Sequence, residues 1–379
     1  MCQNVHLCER WLETFGNESV TVDGIRNSKV VITCQWPAAV AAIAGLLVSM
    51  PAQAHIKWFE PFDLKQAPRP IGEVLELTFV YLFLGSVAFV YTFFLFDRYA
   101  YKKGFLVAFD ERLRVFDGLS IIIMRGASGL FFAALWAFAV FGGQGSYLAP
   151  ELVTTEAWVP WLQLAMAFCA LSRRTAPLIG VGIIVLYALS ITRYGTFHLL
   201  DYLIFPAIAY FFIATASGAK GWKKSGFVAL FAMTGINFLW LAIEKFAYPQ
   251  WTYPLLAKHP DLLMGIDAKT YLMLAGFVEF VVIFLLLGAA SVVTRLIALG
   301  FQTLLVLGIL KFGLIDAIGH LMINAVLFVL IVRGPTDARN ILVLATKSPQ
   351  MEAYFMTGLY YLALVNAFLL YYGLYALLL

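Results

Sequence analysis

The sequence predicts an all-α fold, a polytopic transmembrane helix bundle of about ten helices, and three observations carry that prediction. Apolar residues make up 62% of the 379 and charged residues only 13%, a balance that no single soluble core can bury. Ten apolar stretches suited to crossing a bilayer fall at about 72–96, 118–142, 157–172, 176–193, 198–216, 226–247, 270–293, 296–311, 315–333 and 352–379. Basic residues collect in alternate connections between them, the bias that orients membrane helices.

Taken in order, residues 1–54 read as an N-terminal tail and signal peptide, or a first transmembrane helix. Arg26 and Lys29 precede an apolar run ending SMPAQA, which has the basic flank, apolar middle and small-residue end of a secretory signal. Cleavage is expected between Ala54 and His55; the alternative is an uncleaved helix over about 34–50. Residues 55–117 then hold a periplasmic segment, the first mature span and a cytoplasmic linker. In the linker, VAFDERLRVFDG interleaves apolar and charged residues at helical spacing, as a short helix on the membrane surface does. The linker, SRR, GAKGWKK, the Arg295 turn and RGPTDARNILVLATK contain most of the loop Lys and Arg, whereas QGSYLAPELVTTEAW has none. That asymmetry places a multi-pass protein in a bacterial inner membrane with its mature N-terminus in the periplasm. KWFEPF, WVPW and YPQWTY stand beside span ends, where Trp and Tyr anchor in the headgroup layer. The lipid bilayer is thus the one certain partner, and nucleic acid is not implied. Cys2, Cys8, Cys34 and Cys169 make no CxxC or ligand spacing.

An internal repeat organises the middle. RYGTFHLLDYLIFPAIAYFFI from Arg193 lies without gaps over KFGLIDAIGHLMINAVLFVLI from Lys311, and MRGASGLFFAALWAF from Met124 matches MTGINFLWLAIEKF from Met233. Two like-oriented four-helix units follow, 118–217 and 226–334, with 335–379 as a linker and C-terminal span. At these residues the chain resembles the DoxX-like membrane proteins: Arg125, Gly129 and Phe131 look like the start of that family's first helix, and Glu244, Lys245 and Phe246 like its end. The copies depart from the pattern, with Trp136 where the second has Lys245 and Thr234 where the first has Arg125. The resemblance implies two tandem DoxX-like four-helix bundles and a membrane redox context, with a quinone and a redox partner subunit.

Ionisable residues inside spans are costly and few. Glu244, Glu279, Asp316 and His320 are the candidate proton-handling or catalytic residues. Asp316 and His320, four apart, share a helix face; Glu279 is the deepest carboxylate, and the four are expected to converge facing the outer compartment. His198, Asp201 and Lys245 are the candidate cofactor-binding residues. His55 and His259, with Met264 as a soft donor, are the candidate copper ligands, because a free N-terminal His offers an amine and an imidazole together. Ion pairs of Glu244 with Lys245 and of Asp316 with Lys311 are the structural alternative, and Arg125 reads as a snorkelling anchor. No Walker loop, CxxCH or GxSxG pattern occurs. Three function classes stay open: a quinone-linked redox component, a proton- or cation-coupled transporter, and a periplasm-facing copper-handling accessory.

Overall fold

The computed structural model describes residues 56–60, 62–334, 346 and 348–379. The expected signal, its cleavage point at Ala54 and the candidate ligand His55 lie outside the described residues, as does most of the linker after Gly334.

Helices of nine residues or more are numbered in chain order: α1 Leu77–Lys102, α2 Val107–Val115, α3 Ser120–Gly142, α4 Val159–Cys169, α5 Ala176–Tyr194, α6 Ile204–Ala216, α7 Lys220–Ala247, α8 Pro249–Lys258, α9 Ala268–Gly288, α10 Val292–Phe312, α11 Leu314–Arg333 and α12 Pro349–Leu378. Among the described residues eight helices are long and apolar enough to cross a membrane, nine if the bent pair Thr196–Tyr202 and Ile204–Ala216 is one span. The protein is therefore an all-α, multi-pass membrane bundle. All ten expected stretches are helical, but 157–172 yields only α4, whose 11 residues rise about 16 Å against a hydrocarbon core of about 30 Å.

The segment before α4 fills in what that short helix lacks. A two-stranded hairpin, β1 Gly145–Ser146 paired with β2 Val153–Thr154, folds into the bundle and buries Tyr147, Leu148, Ala149 and Leu152. Gln163 of α4 donates its side-chain amide to the carbonyls of Ser146 and Tyr147, at 2.6 and 2.9 Å. At the other end of α4, Arg125 Nε donates to the Ala170 carbonyl at 2.9 Å, so α4 and the hairpin together run along α3.

The bend before α6 follows from Pro206, which has no N–H to give the carbonyl four residues back, so the chain breaks and turns by 63°. Asn237 of α7 accepts from the Ile204 amide at 3.0 Å and caps the restarted helix. The lead-in Thr196–Tyr202 starts at Gly195 (φ 84°), and α11 starts at Gly313 (φ 76°), a left-handed backbone that glycine adopts without penalty.

Helices α3, α4, α5, α6, α7, α9, α10 and α11 pack each on the next, and α11 returns to α3. One apolar core, from Met124 through Phe211 and Phe238 to Val326, runs through both halves. Helices α7, α9 and α11 are central, with 67% of each apolar window buried. Helices α1 and α12 pair against α7 and α9 through rings such as Phe94, Phe280, Tyr360 and Tyr371. Only 11% of the α12 window is buried, leaving Tyr361, Leu362 and Leu369 for lipid.

Hydrogen bonds and ion pairs tie the end that carries the basic connections. Asp97 of α1 accepts from the amides of Ala290 and Ser291, at 2.9 and 2.8 Å, just before α10 begins. Arg98 meets Glu352 at 3.1 Å, Arg295 meets Asp110, and Arg333 meets Asp117 at 3.0 Å while lying 3.7 Å over the Phe227 ring.

Candidate functional site

The opposite end of the bundle carries the site, and a segment ahead of every described span completes it. A three-residue 3-10 turn, Ile56–Trp58, passes over the lead-in to α6, the last turn of α7 and the first turns of α11, and it drives Lys57 and Trp58 inward. Lys57 is 4% exposed. Its ammonium donates to Asp201 and, at 2.5 Å, to Glu244 Oε2. It also lies 4.9 Å from the Trp251 ring centroid and 5.7 Å from that of Phe62, so cation–π attraction adds to the ion pairs. Burial opposes the charge on Lys57, but Asp201 and Glu244 outweigh it and hold the pKa above the ordinary lysine value.

His198 lies beside this pair, with Nδ1 3.5 Å from Asp201 Oδ2. Its ring stacks on Phe62 at 5.3 Å, and its buried Nε2 has no hydrogen-bond partner among the described residues. Next to these groups is a cavity of about 250 Å³ lined by Lys57, Lys65, His198, Asp201 and Glu244 and by the rings of Tyr194, Tyr248, Trp251, Tyr371 and Tyr375. Lys57 and Lys65 balance the two side-chain carboxylates, so the lining side chains are formally neutral with a neutral histidine.

Trp58 enters beside α11. Its indole lies against Gly319 of α11, where a Cβ would overlap the ring, and meets His320 edge to face at 4.7 Å. His320 Nδ1 is 3.0 Å from Asp316 Oδ1, both residues being buried. Glu151 of the hairpin accepts from the Tyr202 hydroxyl. Burial pushes the Glu151 carboxyl up to about 7, although Tyr202, Lys57 and Trp58 favour its charged form.

The candidates named from the sequence separate into distinct groups. His198, Asp201 and Glu244 meet at Lys57; Asp316 and His320 pair as expected at four-residue spacing. Glu279 pairs with Lys245 at 2.7 Å, and Lys245 lines a different small cavity with Arg69 and Lys269. The expected convergence of Glu244 with Glu279 is therefore corrected. Glu244 and Lys245 are neighbours on one helix about 100° apart, so they face different sides. The alternative ion pairs are replaced as well: Lys311 meets Asp261, not Asp316. His259 is half-buried, edge-on to Phe312 at 5.5 Å. No group of three or more His, Cys, Asp or Glu among the described residues is placed to hold a metal.

Lys57, Trp58 and Glu151 escaped the sequence reading. KWFEPF has the composition of an interfacial anchor and Glu151 that of a polar loop; the one signal was a lysine flanked by aromatic and apolar residues. Compared with protein-family models, curated proteins and solved structures, the chain matches none.

Proposed function

We propose that this multi-pass membrane protein is the quinone-binding component of a redox system, with the head group seated in the cavity beside Lys57. One observation carries the reading: aromatic walls surround acid, base and ammonium side chains whose charges cancel. A bare cation gains little from a neutral lining, whereas a planar, uncharged ring with two oxygens can stack on Tyr248, Trp251 or Tyr371 and meet donors and acceptors at its rim. Reduction of a quinone to a quinol takes two electrons and two protons. His198 and Glu244 are the groups suited to exchange those protons, and Asp201 orients the imidazole. The electrons come from a partner subunit, since the sequence has no haem-attachment or iron–sulfur cysteine pattern. The DoxX-like resemblance points to the same membrane redox context.

A transport reading has less support, because the ionic groups gather near the two ends of the bundle while its middle is apolar core. The test is organic extraction of the purified protein for bound quinone, with titration by a short-chain quinone followed by tryptophan quenching. Binding lost in His198→Ala and Glu244→Gln supports the reading. Absence of both extracted quinone and saturable binding overturns it.

A further inference from the structure

We infer that the Ile56–Trp58 turn is a gate over this cavity, a strap held shut by two side-chain anchors that release together. The inference rests on the quinone reading only for the identity of what passes. The strap itself forms part of the cavity wall: Lys57, Leu64 and Lys65 line it opposite the helix ends. A ligand that reaches Asp201 or Glu244 from this side must move the strap or share the carboxylates with Lys57.

The way the strap is held suits release. It has one short turn and no long helix among the described residues before Leu77, and the turn itself is anchored by side chains, with a backbone tie to the bundle only further on, from the Arg69 amide to the Ala247 carbonyl at 2.7 Å. Lys57 enters the α6–α7 half and Trp58, the next residue, enters α11. Phe59 against Phe312 at 5.0 Å and Glu60 with Lys258 at 2.6 Å add contacts nearer the surface. Two adjacent residues cannot leave separate seats independently, because a shift of the turn that unseats the indole also draws the ammonium from its carboxylates. Gly319 is the device that lets the strap close, for only a residue without Cβ leaves room for the indole.

The full-length protein in detergent or vesicles provides the test, using Gly319→Ala to block the Trp58 seat from below and Trp58→Ala to remove the anchor from above. Carbodiimide labelling of Asp201 and Glu244, read by mass spectrometry, reports access without any assumed ligand; thermal unfolding confirms that each variant is folded. The expected result is labelling at least tenfold faster in both variants, with short-chain quinone association accelerated alike. An unchanged labelling rate in both folded variants overturns the gate, even where quinone binds normally. Faster labelling with no quinone bound by any form supports the gate and removes the quinone reading instead.

Discussion

Lys57 joins two carboxylates that lie 144 and 187 positions further along the chain, and no local pattern announces such a contact. Hydropathy and spacing identified His198, Asp201 and Glu244 because charged groups stand out within apolar runs; they could not identify the cation, which stands among aromatics outside any span. Replacing Lys57 by Met leaves Asp201 and Glu244 buried without their counter-charge, and removing one partner of such a set costs about 3–5 kcal/mol. Denaturant unfolding in detergent checks this, and adding Glu244→Gln to the same background is expected to recover part of the loss. Glu151 gives a second prediction at this scale. Its carboxyl is held near 7 in the folded protein, above the unfolded value, so the native state binds the proton more tightly. The stability this contributes is complete below about pH 4.5 and lost as pH rises through about 7, a change of about 3 kcal/mol. Glu151→Gln is expected to flatten the slope of unfolding stability between pH 5 and 7 and to raise stability at pH 8.

Helices were the most legible elements. The apolar runs 176–193 and 315–333 became Ala176–Tyr194 and Leu314–Arg333, since a chain in lipid must satisfy its backbone within each span. The hairpin before α4 was not legible: QGSYLAPELVTTEAW mixes polar and apolar residues around one Gly and one Pro, and only tertiary packing tells a folded-in hairpin from an exposed loop. Helix starts supplied by distant residues were equally silent, as with Asn237 at α6 and Asp97 at α10. Asp97→Ala removes both acceptors from the Ala290 and Ser291 amides, and lost caps typically cost about 1–2 kcal/mol. Hydrogen exchange at those two amides is expected to accelerate while amides at the centre of α10 stay protected.

For the whole molecule, composition was sufficient to fix the class, and the alternation of basic loops predicts which end faces inward. The aligned RYG and KFG stretches both turn at a glycine of positive φ, in keeping with the proposed duplication, yet only the first is broken by a proline, and a single core joins the halves. Single cysteines at Glu156 and Asp261, in a background without native cysteines, are expected to react with an impermeant maleimide on one side of the membrane, and cysteines at Arg114 and Arg174 on the other. Reaction of Glu156 and Arg114 positions from the same side overturns the topology. The turn that bears Lys57 also sets a schedule. Those residues leave the ribosome before any described span, yet the cavity they line is completed by Tyr371 and Tyr375 of the final helix, so the earliest part of this region to be translated waits for the latest. A nascent chain halted before α11 is expected to expose its Lys57 segment to trypsin, because the Trp58 seat at Gly319 and His320 is not yet made.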